Sequence, residues 1–100
     1  MFLGKVIGTV WSTKKDENLV GAKFLIVRQL DLELKEKSNF VVAVDSVGAG
    51  EGEIVLVATG SSSRQTEFTK NKPVDAVIMA IVDKLDVSVK EYLKAHSQEA

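Results

Sequence analysis

The sequence has no cysteine, a single histidine and a single proline. Lacking thiols, it can build neither a disulfide nor a thiolate metal site, a composition that fits a reducing compartment. The lone histidine, His96, cannot form a zinc site by itself, because such sites need further nitrogen or sulfur ligands. Neither sign of charge dominates: 13 basic residues face 14 acidic ones, for a formal net charge of -1. No global field therefore draws nucleic acid or an anionic membrane to the surface. Long apolar runs are also missing. The longest, AVIMAIV from Ala76 to Val82, is far shorter than the roughly 20 residues a helix needs to span a bilayer. The N-terminal MFLGKVIGTVW carries its lysine behind the first apolar residues and lacks a small-residue cleavage site, so it reads as a strand and not as a signal peptide. Together these absences predict a soluble domain of 100 residues with room for one hydrophobic core.

What is present is mostly β. Short apolar segments alternate with polar turns, the pattern of a small, mainly all-β domain. The first strand is expected over Leu3 to Ser12, with Val6, Gly8, Val10 and Ser12 on one face and Lys5, Ile7, Thr9 and Trp11 on the other. The turn TKKDEN leads to a second strand, Ala22 to Asp31. The charged stretch ELKEKSN, residues 33–39, separates it from a third, Phe40 to Val44. Glu53 to Thr59 and Val77 to Leu85 complete five, and Pro73 stands just before the last, where its missing N–H is tolerated. The end of the chain changes period. Ser88-Val-Lys-Glu91 is a capping box, Val87 and Tyr92 are placed as a hydrophobic staple, and Val89, Tyr92, Leu93 and His96 recur at helical spacing. A C-terminal helix is expected over about 88–97, so the chain divides into a barrel domain, 1–87, and a helical tail, 88–100.

Segments 54–58 (IVLVA) and 76–82 show little polar alternation, as if both faces of those strands were buried. A 100-residue barrel has an inside for only one of them. Either these are central strands covered within the chain, or a second chain covers them; the preferred reading is an oligomer.

Three stretches invite a chemical reading. DSVGAGEGE, residues 45–53, suggests a phosphate cradle, but the dinucleotide fingerprint needs a third glycine where Glu53 stands, and a helix where EIVLVAT reads as a strand. Glu51 and Glu53 also put negative charge where a phosphate would sit, and no Gly-Lys-Ser/Thr follows. The loop reads as a tight connection with glycines at positive φ. GSSSRQT, residues 60–66, lacks the flanking glycines of a nucleophile elbow. The one histidine stands at the far end of the chain, so no serine has a base. It reads as a capped turn with Arg64 free to bind a carboxylate or carbonyl. The acidic pairs Glu51/Glu53 and Asp83/Asp86 have no partner that would make a cleft of them. No catalytic residue, metal site or cofactor is predicted. A five-stranded, OB-like barrel with short helical turns and a C-terminal helix brings nucleic acid to mind. The six aromatics (Phe2, Trp11, Phe24, Phe40, Phe68 and Tyr92) are scattered, however, and the lysines sit among acids. An OB-type module binding nucleic acid or a small ligand is the alternative reading.

Residues 44–66, VDSVGAGEGEIVLVATGSSSRQT, strongly resemble the EutN/CcmL family of bacterial microcompartment vertex proteins. That pattern is a Val-Asp pair, an aliphatic residue and Gly-Ala-Gly-x-Gly-Glu, then a strand and Gly-Ser-Ser-x-Arg-Gln. It stands here as Val44-Asp45, Val47, Gly48-Ala49-Gly50, Gly52-Glu53, Gly60-Ser61-Ser62 and Arg64-Gln65. KVIGTVWST and PVDAVIMAIVD resemble the family's opening and final barrel strands. Ser63 departs from it where alanine is common. The resemblance implies an OB-like barrel without enzymatic activity, assembling as a homopentamer at the vertices of a shell in the bacterial cytoplasm. It implies hexameric shell proteins as partners, and neither nucleic acid nor membrane. Gly48, Ala49, Gly50, Glu51, Gly52 and Glu53, with Ser61, Ser62, Arg64 and Gln65, are the expected oligomer or shell contacts.

Overall fold

Alternation in FLIVRQL sends Leu25 and Val27 to one side of a strand and Phe24, Ile26 and Arg28 to the other, and the computed structural model builds its barrel on that parity. The structure describes residues 1–12, 16–60 and 75–85. Among them are strands β1 (Phe2–Val10), β2 (Phe24–Leu30), β3 (Glu36–Asp45), β4 (Ile54–Thr59) and β5 (Ala76–Ile81), plus one 3-10 turn, Glu17–Leu19. Asp16 caps that turn by accepting the Asn18 amide at 2.9 Å. The strands close in the order β1-β2-β3-β5-β4, antiparallel throughout except for β3 beside β5. The mainly β, five-stranded barrel expected from the sequence is therefore present. The expected helix at 88–97 and, beyond Gly60, the GSSSRQT turn lie outside the described residues.

Two expectations about the strands need correction. In β1, Val6 pairs with Val27 but Gly8 pairs with Ile26, so Ile7 is an extra residue. This bulge reverses the parity beyond it. Val6 points into the core, whereas Val10, expected on the same face, stands outside beside Phe24. In β3, the strand begins at Glu36 and takes in residues 36–39 of the charged stretch expected to be a turn. Charge does not prevent pairing there because residues 32–40 are exposed, so their side chains stay in water while the backbone bonds to β2. The turn itself is the short segment around Asp31, whose Oδ1 accepts the amides of Glu33 at 2.8 Å and Lys35 at 3.0 Å.

The barrel interior is filled by Val6, Leu25, Val27, Ala43, Val55 and Val57, with Ile78, Ala76 and Ala49 completing the cluster. A second buried cluster lies on the other side of the sheet: Val44, Ala58 and Val77 with Ala22, flanked by Leu19, Phe24 and Met79. The register explains it. Phe24 pairs with Val44, Val44 with Val77 and Val77 with Ala58, so one apolar row crosses four strands on the outer face. β4 and β5 are thus apolar on both faces because both are buried within the chain around Ala58 and Val77. Of the two readings left open by the sequence, covered central strands is the one that describes this part of the sheet.

Candidate assembly surface

The glycine loop folds onto itself rather than opening to a ligand. Asp45, at the end of β3, accepts three successive amides through Oδ1: Val47, Gly48 and Ala49, each at 3.1 Å. Glu53 then accepts the Gly50 amide through Oε1 at 2.7 Å, and its own amide donates to the Gly50 carbonyl at 3.1 Å. Every amide a phosphate would need at positions 47–50 is committed to a carboxylate. The loop also continues the barrel wall, since the Gly52 amide donates to the Val6 carbonyl at 2.8 Å and the Val6 amide to the Glu53 carbonyl at 3.0 Å. The result is that Ala49, 1% exposed, lies in the barrel core as a plug. Lys23 Nζ donates to its carbonyl at 3.2 Å, and Ser46 Oγ ties the loop to the Ile78 carbonyl at 2.6 Å.

Positive φ is required at Gly48 (79°) and Gly52 (89°) but not at Gly50. The expectation of left-handed backbone therefore holds for two of the three loop glycines. At Gly50 a Cβ would meet nothing closer than Glu53 Oε1 at 3.4 Å, an ordinary contact. The loop brings together Gly48, Ala49, Gly50, Glu51, Gly52 and Glu53, with Gly48, Glu51 and Gly52 on its exposed rim. Ser61, Ser62, Arg64 and Gln65 lie outside the described residues.

A larger apolar surface was not anticipated from the sequence. On the outer side of β1, β2 and β3, cross-strand pairing lines up Val10 with Phe24 and Val44, then Gly8 with Ile26 and Val42, then Lys5 with Arg28 and Phe40. Val42 is 46% exposed, Phe40 60% and Trp11, just beyond β1, 89%. Two open grooves flank Phe24. One, of about 350 Å³, is lined by Val10, Trp11, Ala22 and Lys23; the other, of about 370 Å³, by Val42, Val44, Thr59 and Asp75. The parity switch at Ile7 is what hides this surface in the sequence, because it moves Val10 to the outside. Period alone carries no signal for a bulge.

At the far end of the face β3 bulges. Arg28 pairs with Phe40 and Leu30 with Glu36, so Lys37, Ser38 and Asn39 stand opposite Gln29 alone. The Arg28 guanidinium spans the gap, donating from Nη1 to the carbonyls of Lys37 at 3.3 Å and Ser38 at 3.4 Å. Among the described residues no group of three or more potential metal ligands converges.

Known proteins fit this geometry. Residues 1–83 match the family model described as ethanolamine utilisation protein EutN/carboxysome. The chain belongs to the EutN/CcmL family. The bacterial microcompartment shell vertex protein GrpN of Rhodospirillum rubrum is 49% identical over 86 residues, which are 86% of this chain and 97% of that one. Its solved structure, described as a pentameric microcompartment shell protein, superposes with a TM-score of 0.80 at 48% identity, covering 87% of this chain and 99% of GrpN. The structure of CcmL from Gloeobacter violaceus gives a TM-score of 0.83 at 41% identity over 88% of this chain and 91% of that chain. As EutN/CcmL barrels, these relatives share the strand framework on which the loop and the open face are carried.

Proposed function

We propose that this chain is a non-enzymatic shell vertex protein, five copies of which close into a ring at the corners of a bacterial microcompartment in the cytoplasm. The observation that carries the reading is its likeness to the pentameric shell protein GrpN, which extends over nearly all of that chain at 48% identity. Hexagonal tiles alone make a flat layer, and five-fold units supply closure. Hexameric shell proteins are therefore the partners the ring would dock against. In a cyclic ring each copy offers one surface to its neighbour and a different one to the copy behind, a heterologous contact that closes.

Within this reading the exposed rim of the glycine loop, Gly48, Glu51 and Gly52, meets a neighbouring subunit or tile, supported from behind by Ala49, Gly50 and Glu53. Ser61, Ser62, Arg64 and Gln65 supply hydrogen bonds across the same contacts. Residues 1–87 form the ring-building barrel, and 88–100 a separate helical tail.

The open face also presents Phe40 in one row with Lys5 and Arg28, and Trp11 beyond its other end, a mixture of aromatic and basic residues that single-strand nucleic-acid binders use. It is a poor phosphate site, however, because the Arg28 guanidinium is engaged with two backbone carbonyls. Neither nucleic acid nor membrane is a proposed partner. The function is tested by expressing the hexameric tiles with and without this chain and imaging the products. Closed polyhedra only when the chain is present are expected. Equally closed shells in its absence, or binding of single-stranded DNA with a steep salt dependence, would remove the proposal.

A further inference from the structure

We infer that the outer face of β1, β2 and β3 is where a second copy of this chain sits, with Trp11 and Phe40 as the apolar anchors of the contact. The inference rests on the vertex reading, which supplies the occupant; the location comes from this chain's own geometry.

Apolar residues scattered singly over a surface are ordinary, but a contiguous group is not. Here the register makes them contiguous: Val10, Val42 and Phe40 lie in successive rows of one sheet face, and Trp11 lines a groove with Val10 at its edge. Among the described residues, the apolar groove between Leu3, Leu34, Ile54, Val82 and Leu85 is far smaller, about 70 Å³. Around Ala58 and Val77 the outer face of β4 and β5 is already closed within one chain, at 1% and 0% exposure. The glycine loop has turned its amides inward. Gly8 sits in the middle of the open face, where a Cβ would meet only Ile26 Cδ1, at 3.6 Å. That leaves a shallow depression between the two ends, and the grooves beside Phe24 continue it.

Shape and composition both suit a protein neighbour. Grooves of about 350 and 370 Å³ are large enough to receive side chains from an opposing surface. Aromatic residues are enriched at the centres of protein contacts and charges depleted there. The charges stand at its edges: Lys5 and Arg28 in the far row, beside the charged start of β3, and Lys23 and Asp75 in the lining of the two grooves. An apolar centre with a charged border is what a contact between copies requires.

Trp11 is the only tryptophan in the sequence, so the protein carries its own reporter. Acrylamide quenching of the assembled wild-type chain, compared with the chain diluted below its assembly concentration, is the test. If the face is the contact, quenching falls several-fold on assembly and the emission shifts to the blue. A ring in which Trp11 is quenched as freely as in the separated chain overturns the assignment while leaving the vertex reading intact. A wild-type chain that never assembles overturns both. As a second measurement, Phe40→Lys with Val42→Lys alters exposed side chains only. Loss of the ring with an unchanged thermal midpoint supports the assignment. An intact ring in that variant contradicts it. Val20→Lys, on the turn after the 3-10 segment, is the control expected to assemble normally.

Discussion

The Ala49 amide donates to Asp45 Oδ1 at 3.1 Å, and through that bond the glycine loop turns back to place the Ala49 methyl in the barrel core. One carboxylate thus organises a loop that resembles a phosphate cradle and uses its amides to build a plug. Asp45→Ala should remove three charge-assisted bonds at once. Two of the freed amides can rehydrate, so the expected loss is about 1–3 kcal/mol rather than three times a single bond. Chemical denaturation would show it as a lower midpoint with an unchanged slope.

Glycine has different jobs at different positions, and paired substitutions separate them. A Cβ at Gly4 would collide with Val27 Cγ1 and press on the Arg28 carbonyl at 3.1 Å. Gly4→Ala should therefore cost about 1–3 kcal/mol through overpacking. Gly8→Ala, on the open face, should be neutral or stabilise by about 0.5–1 kcal/mol, because glycine inside a strand is entropically costly. Thermal melts of the two variants side by side would check the ordering.

Within the loop, Gly48→Ala and Gly52→Ala force a side chain into left-handed backbone and should each cost about 1–2 kcal/mol. Gly50→Ala should be accommodated, since its backbone is not left-handed and its Cβ would have room. Gly50→Arg then becomes a probe of assembly rather than of folding: the monomer should keep its thermal midpoint, and native mass should report whether the ring still closes.

Arg28→Met keeps the length of the side chain and deletes the two bonds that bridge the β3 bulge. Lys37 and Ser38 are exposed, so water can take over their carbonyls, and the expected cost is about 0.5–1.5 kcal/mol. Hydrogen exchange should accelerate selectively around residues 36–40 and stay unchanged at β4.

Much of this fold was legible because a strand with one buried face announces itself by period two. β2 shows it plainly, with Leu25 and Val27 inward and Arg28 outward. The loop motif could also be separated from a nucleotide site by spacing and charge alone. Two things were not legible. The bulge at Ile7 leaves no trace in residue types, yet it decides that Val10 belongs to the open face rather than the core. Glu36 and Lys37 read as turn residues because charge usually marks solvent; on an exposed strand it marks solvent too, and the backbone pairs regardless. The two uniformly apolar runs pointed to a covered second face but could not say what covers it. In the fold Val44, Val77 and Ala58 are buried within a single chain, clustered with Ala22 and flanked by Leu19, Phe24 and Met79. The uncovered apolar surface lies instead on β1 to β3, assembled from residues such as Trp11 and Phe40 that are far apart in sequence.

Self-assembly into a closed five-membered ring can be weighed by native mass spectrometry of the purified chain. A dominant species of five times the 10.9 kDa of one chain is expected, without a ladder of larger open oligomers. A single 10.9 kDa species persisting at high concentration would contradict it.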